Sequence, residues 1–288
     1  MTDSILAQLR HHGIHPKKGL GQHFLIDAHL AQQIVLLSGV TATDRVVEIG
    51  PGVGALTTWL LQQAGSLHAI EPDQQLLPLL QQRCHGLGQL TVLHEDALLH
   101  DFTQLSARLG GPLVIVANLP YNISTPLLLH LLEQRHVIQA MTLMFQKEVA
   151  DRLVAPAGCK SYGTLSVYCQ LWCHATSLMD VAAHAFYPPP KVLSTVVQLT
   201  PRQQPLFPVH DEPWLRRVVR AAFGQRRKTL RNALMVLGLN SSQSEQWLGH
   251  AAIDPQRRGE TLTLAEFVQL ANSYPSSVSI IPSILSRT

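Results

Sequence analysis

Charge is scarce in this sequence. Only 14% of its 288 residues are Asp, Glu, Lys or Arg, against 46% hydrophobic ones. That balance excludes disorder over most of the chain. Cysteine is scarce too. Cys84, Cys159, Cys169 and Cys173 include no pair at the two-residue spacing of common zinc sites, so free thiols in a reducing cytoplasm are expected. The fifteen histidines include no His-x-x-x-His pair with a nearby Glu, and no metal is expected. Long apolar runs are missing, so no bilayer-spanning helix and no membrane partner are expected. The opening "MTDSILAQLRHHGIHPKKG" lacks the apolar core of a secretory signal, so a cytoplasmic location is expected.

The chain is long enough for one large domain and a smaller one. Short apolar runs alternate with helical patterns through its first half. "RVVEIG", "LHAIEPD", "LTVLHEDALL" and "GPLVIVANLP" read as strands. "ALTTWLLQQAG", "QQLLPLLQQRC" and "TPLLLHLLEQ" read as helices, with Gly65 ending the first and Pro78 kinking the second or sitting in its first turn. "AMTLMFQKEVADRLV" adds a strand and a helix, and "KVLSTVVQLTP" a further strand. This alternation predicts an α/β fold built on a parallel, doubly wound sheet. After the proline-rich "RQQPLFPVHDEP" only helical patterns follow. We therefore expect a first domain over 1–203, a small all-helical domain over 204–275 and a loose tail over 276–288.

"VVEIGPGVGALT" puts Gly50, Gly52 and Gly54 between a strand and a helix. Glycines let such a loop turn tightly and let backbone approach a ligand. The acid about 20 residues further on, Glu71, suits ribose hydroxyls. Gly50, Gly52 and Ala55 also satisfy the dinucleotide fingerprint, so the loop suits a nicotinamide cofactor or S-adenosylmethionine. Pro51 favours the second, because it removes an N–H where a pyrophosphate needs one. Asp96, in "HEDALL", sits where it can accept from an adenine amino group or can cap a helix.

"VANLPYNIST" places Asn118 at the carboxyl end of the fourth strand. An adenine N6 amine is a weak nucleophile because its lone pair is delocalised into the ring. Acceptors for its two hydrogens favour a pyramidal nitrogen. The Asn118 side-chain oxygen is one such acceptor, and the carbonyl of Leu119 or Pro120 the other. Pro120 stiffens the backbone. Tyr121 offers a face for a flipped base, worth about 1–3 kcal/mol by analogy with other base stacking.

Seven cations, Arg216, Arg217, Arg220, Arg226, Arg227, Lys228 and Arg231, fall in one stretch without an acid, although the net charge is only +3. Such a stretch suits phosphates. Lys17 and Lys18 add a second basic point.

These stretches, with "KKGLGQHFL", "FQKEVADRL", "YGTLSVYCQ", "FYPPPKVLSTVV" and "FGQRRKTLRN", resemble the KsgA/RsmA family of small-subunit ribosomal RNA dimethyladenosine transferases nearly from end to end. The resemblance implies a Rossmann-like class I methyltransferase sheet with a helical C-terminal domain. It implies dimethylation by S-adenosylmethionine of two adjacent adenosines in the 3′-terminal hairpin loop of 16S rRNA. The partner implied is 16S rRNA within a small-subunit assembly intermediate, with no DNA; a monomer is expected because the sequence shows no amphipathic dimer stripe. His23, Leu25, Gly50, Gly52, Glu71, Asp96 and Asn118 are implied to line the cofactor. Asn118, Pro120 and Tyr121 are implied at the target amine, with Phe186 stacking on the far side of the base. Lys17, Lys18, Arg220, Arg226, Arg227, Lys228 and Arg231 are expected on RNA. The family usually has Asn where this chain has His23, which is bulkier and can titrate.

Four other readings compete. One is an enzyme of the macrolide-resistance type acting on large-subunit rRNA, which the site motif alone does not separate. "FGQRRKTLRN" and the helical domain argue against it. A non-catalytic assembly factor is opposed by the intact Asn118–Tyr121 motif. A DNA adenine methylase is opposed by similarity along the entire chain, and a nicotinamide dehydrogenase by Pro51.

Overall fold

The computed structural model describes residues 5–274. The described residues divide into two compact units, one of residues 5–150 and 173–202, the other of residues 151–172 and 203–274. The first unit is built on a seven-stranded sheet. Its strands are β2 (Arg45–Ile49), β3 (Ser66–Ile70), β4 (Gln89–Leu93), β5 (Leu113–Asn118), β6 (Ile138–Gln146), β7 (Cys173–Val181) and β9 (Ser194–Pro201). Their order is β4-β3-β2-β5-β6-β9-β7. A separate two-stranded ladder pairs β1 (Phe24–Leu25) antiparallel with β8 (Phe186–Tyr187).

The five strands from β4 to β6 are mutually parallel. The fully parallel expectation fails at one edge, where β9 runs antiparallel to both β6 and β7. β7 escaped the sequence reading because it is an edge strand whose outer residues face solvent. "CHATSLMDV" therefore carries no continuous apolar run. β5 is the opposite case. "LVIVA" is buried throughout because helices cover both faces of a central parallel strand.

Helices α1 (Ile5–His11), α2 (Ala28–Ser38), α3 (Thr57–Ala64), α4 (Leu77–Cys84), α5 (Phe102–Leu109) and α6 (Ser124–Glu133) belong to this unit. Their ends are written locally. Asp27 and Asp101 accept N–H groups of the first turns of α2 and α5, and Gly39, Gly65 and Gly110 close α2, α3 and α5 in the left-handed region. Pro78 sits in the first turn of α4, where a missing N–H costs nothing. The core between sheet and helices includes Ile34, Leu60, Leu67, Val114 and Val116.

α7 (Lys147–Val154) crosses from one unit to the other, and α8 (Thr164–Trp172) lies wholly in the second. The sequence places residues 151–172 with the sheet. In the structure they group with the helical unit, because Val167 and Leu171 are fully buried there and α8 packs on α9 (Glu212–Gly224) and α12 (Leu264–Asn272). α10 (Leu230–Leu234) and α11 (Ser241–His250) complete this unit. Its core stacks Trp214 near Trp247 (5.7 Å) and Phe223 near Phe267 (5.5 Å), and Trp247 Nε1 donates to the Leu270 carbonyl at 2.9 Å. The tail expected over 276–288 lies outside the described residues.

Candidate active site

Strand order reverses at β2, since β3 lies on one side of it and β5 on the other. At such a switch point loops diverge and leave a crevice at the carboxyl ends of the strands. A cavity of about 220 Å³ occupies it, lined by His23, Leu25, Glu48, Gly50, Gly52, Glu71, Asp96 and the 118–123 loop, among others. The tertiary fold thus brings together seven cofactor positions expected from the sequence. Asn118, Pro120 and Tyr121 stand on the same wall.

The glycine loop runs from β2 to α3. Gly50 and Gly52 have φ of 66° and 58°, in the left-handed region where a side chain is strained. A Cβ on Gly50 meets no atom within 4 Å, so the loop backbone faces open space. Glu71, at the end of β3, is almost fully buried. Its Oε2 accepts from Gly52 N–H (3.0 Å) and its Oε1 from Asp73 N–H (2.9 Å). A carboxylate has about four acceptor positions, so room for ribose hydroxyls remains. Burial raises its carboxyl above the usual range, and the two N–H groups work against that rise.

Glu48 was not singled out from the sequence, although an acid inside the apolar "RVVEIG" is a signal. It is 1% exposed and lines the cavity. Its Oε2 has no hydrogen-bond partner among the described residues. Burial pushes its carboxyl up to about 8; the Thr57 hydroxyl nearby works against the rise and Glu71 adds to it. An acceptor-rich, buried wall with an orphaned carboxyl oxygen suits a cationic ligand that carries a ribose. S-adenosylmethionine, with its ammonium, sulfonium and ribose, fits these donors and acceptors.

Asp96 is exposed at the cavity rim, where its Oδ1 accepts from Leu98 N–H at 2.9 Å. It thus caps a turn while its other oxygen stays available for an amino group. Asn118 Nδ2 donates to the His23 carbonyl at 3.2 Å, which leaves Oδ1 as the outward acceptor. The Pro120 carbonyl already accepts from Ile123 N–H at 3.2 Å, so a second lone pair there, or the Leu119 carbonyl, must serve a further donor. Tyr121 Oη lies 2.6 Å from Ser194 Oγ. Burial raises this phenol, and the Ser194 bond moderates the rise.

The residues from Lys17 to Leu25 form part of the cavity wall. Lys17, expected on RNA, instead places Nζ 2.7 Å from Asp73 Oδ1, because a buried carboxylate needs a partner. Gln22 Nε2 donates to Asp73 Oδ2 at 2.9 Å. Burial pulls the Asp73 carboxyl up, but Lys17 and Gln22 outweigh it and hold it below its ordinary value. Gly21 must be glycine. Its φ is 62°, and a Cβ there falls 2.5 Å from Asn122 Oδ1. Lys18 is exposed.

Phe186 is not brought to the cavity. It is 2% exposed, lies opposite Leu25 in the β1–β8 ladder, and packs in the core with Val181 and Val196. Strand alternation sends it inward and leaves its neighbour Tyr187 half-buried.

In the second unit the basic stretch divides. Arg226 donates to the carbonyls of Lys160 (3.0 Å) and Tyr162 (2.6 Å), Arg231 lies 3.9 Å from Glu245, and Arg216 pairs with Glu212 at 2.9 Å. These arginines tie loops and helices together. Arg220, Arg227 and Lys228 are exposed. Among the described residues no cluster of three or more His, Cys, Asp or Glu is placed to hold a metal, and no helix is long and apolar enough to cross a membrane.

The model of the ribosomal RNA adenine dimethylase family matches residues 14–275. The ribosomal RNA small subunit methyltransferase A of Magnetococcus marinus is 53% identical over 265 residues, covering 92% of this chain and 94% of that protein. A dimethyladenosine transferase from Plasmodium falciparum has a similar structure, with a TM-score of 0.71 and 27% identity over 86% of this chain and 96% of that one. The 23S rRNA methyltransferase ErmE shares the fold, with a TM-score of 0.67 and 22% identity over 87% of this chain and 98% of that one. The chain therefore belongs to the ribosomal RNA adenine dimethylase family and is an S-adenosylmethionine-dependent rRNA adenine dimethyltransferase.

Proposed function

We propose that this protein, as a cytoplasmic monomer, dimethylates N6 of two adjacent adenosines in the 3′-terminal hairpin loop of 16S rRNA while the small subunit is being assembled. The observation that carries the methyl-transfer chemistry of this reading is the orientation of Asn118. Its amide nitrogen is committed to the His23 carbonyl, so its oxygen is the group offered to an incoming amine.

When bound, S-adenosylmethionine supplies a methyl group on a positively charged sulfur. The chain's residues do the rest. Asn118 Oδ1 and a carbonyl of Leu119 or Pro120 accept the two amine hydrogens and turn the nitrogen lone pair toward the methyl group. Tyr121 carries the flipped base on its ring face. Glu71 holds the ribose hydroxyls, and Asp96 meets the adenine amino group. Product ammonium is acidic enough to lose its proton to water, so no strong base is needed.

Arg220, Arg227 and Lys228 are the cations of the basic stretch that suit phosphates, with Lys18 beside the sheet unit's cavity. Replacing Arg227 and Lys228 together by Ala lowers the slope of log affinity against log salt by about 0.7–0.9 per cation, uniformly across RNA sequences. Filter binding at several salt concentrations checks this. An unchanged slope removes both residues from the interface.

Transfer of labelled methyl to unmethylated small subunits, beside large-subunit RNA and DNA, tests the substrate. Dimethyladenosine in the small subunit alone is expected. The name of the Magnetococcus marinus relative favours that subunit. Label in large-subunit RNA overturns the choice of substrate, and tight RNA binding without label points to an assembly factor.

A further inference from the structure

We infer that Asp73 is a positioning residue for S-adenosylmethionine, whose side chain latches the cavity wall of residues 17–25 onto the loop after β3. This rests on the reading of the cavity as the cofactor site. The Asp73 side chain is 3% exposed, and both of its oxygens are used. Oδ1 accepts from Lys17 Nζ at 2.7 Å, and Oδ2 accepts from Gln22 Nε2 at 2.9 Å. Gln22 Oε1 in turn accepts from Lys17 N–H at 2.8 Å. Carboxylate, ammonium and amide thus close a ring that folds the segment back on itself. A carboxylate buried this far needs such partners, so its burial and the closed segment go together.

The main chain of Asp73 serves the opposite wall. Its N–H donates to Glu71 Oε1 at 2.9 Å. One residue therefore holds the ribose acid through its backbone and the segment through its side chain. The two roles are separable, because a side-chain replacement leaves the N–H in place. Gln22, His23 and Leu25 line the cavity and Asp73 does not, so Asp73 acts on the cofactor through them. β1 fixes one end of the segment by pairing with β8, whereas the turn at Gly19 has a long contact, Asn122 Nδ2 to the Gly19 carbonyl at 3.4 Å. An unlatched segment spends time away from the cavity. Cofactor affinity then falls in proportion to the closed fraction. Saturating cofactor holds the wall closed, so the loss appears in KM for S-adenosylmethionine and not in kcat.

Asp73 has a competing, purely local duty. Its Oδ1 also accepts from Gln75 N–H at 3.1 Å, which caps the turn before α4. Asp73→Ser keeps an oxygen for that cap and is too short for the latch. Asp73→Asn keeps the cap and one acceptor for Lys17. Lys17→Met removes the ammonium and leaves Gln22 on Asp73. We expect Asp73→Ser to weaken S-adenosylmethionine binding by calorimetry about tenfold to a hundredfold, the scale of a hydrogen bond to a charged group. Asp73→Asn recovers part of this loss. Lys17→Met weakens binding about threefold, since its half-exposed ammonium is screened. All three keep kcat at saturating cofactor within about twofold, as loss of uniform binding requires. Hydrogen exchange in Asp73→Ser quickens at the amides of residues 18–25 and not in β2 or β5.

Parent affinity in Asp73→Ser makes Asp73 a turn cap alone and overturns the inference. So does a lowered kcat with unchanged affinity, or exchange that quickens equally throughout the sheet. If Asp73→Ser fails to fold, Lys17→Met and Asp73→Asn carry the same test. Glu71→Ala separates the underlying reading. If it leaves S-adenosylmethionine affinity unchanged, the cavity is not the cofactor site, and both readings fall. If it weakens affinity while Asp73→Ser does not, only the latch falls.

Discussion

Asn118→Ala is expected to slow methyl transfer about a hundredfold to a thousandfold, the usual loss for one preorganised polar contact at a reacting centre. Affinities for cofactor and RNA are expected to change far less, because the truncated side chain's other hydrogen bond is to the protein's own His23 carbonyl. The size follows from the position. Asn118 stands at the carboxyl end of β5, and its amide nitrogen is tied to the His23 carbonyl. The oxygen is therefore in place before the base arrives and needs no reorganisation. Asn118→Asp is also expected to fail, since an ionised carboxylate cannot donate to that carbonyl and repels it instead. Single-turnover transfer with saturating cofactor and RNA checks both. Normal turnover in Asn118→Ala would mean that the amine is not activated by this acceptor.

The second large effect concerns Glu48. Its carboxyl ionises from 4.5 in an open chain and is pushed up to about 8 by burial in the folded one. Between these values the folded state binds the extra proton, so stability falls as pH rises across the window. The slope approaches about 1.4 kcal/mol per pH unit at its steepest. Glu48→Gln removes the ionisation and flattens this part of the curve, so the variant is expected to gain most in Tm near pH 8. The gain costs cofactor affinity. The parent's Oε2 has no hydrogen-bond partner among the described residues, so a cation bound beside it is expected to draw out the proton, and cofactor affinity to rise with pH toward 8. Calorimetry in buffers of different ionisation enthalpy counts that proton. A parent whose stability does not change between about pH 5 and pH 8 would show Glu48 ionised throughout.

Much of the cavity was legible before the fold was known. The glycine loop, Glu71, Asp96 and "NLPY" carry their chemistry in short stretches whose backbone demands are local. The restricted proline and the left-handed glycines need no distant partner to be recognised. Once strands alternate with helices, the carboxyl ends of β2, β3 and β5 must meet at the switch point. Phe186 shows where this logic stops. The family resemblance implies that it stacks on the target base, yet the β1–β8 register decides which face of the strand it takes, and that face is the core.

The basic stretch makes the same point about charge. Along the sequence Arg226 and Lys228 are equivalent cations. In the helical unit both are exposed, but Arg226 donates to the carbonyls of Lys160 and Tyr162. Lys17 and Lys18 divide in the same way, because only Lys17 reaches the buried carboxylate of Asp73. What the sequence by itself determined is the α/β alternation, the helical C-terminal domain, the family and the polypeptide segments that build the cavity. These follow from local patterns of two to a dozen residues. The tertiary structure alone decided that Glu48 is buried at the cavity, that β9 reverses the sheet edge, that residues 151–172 join the helical unit and that His23 lies on Tyr121. Each of these depends on burial or on a partner far away in the chain, and neither is written in a residue's own neighbourhood.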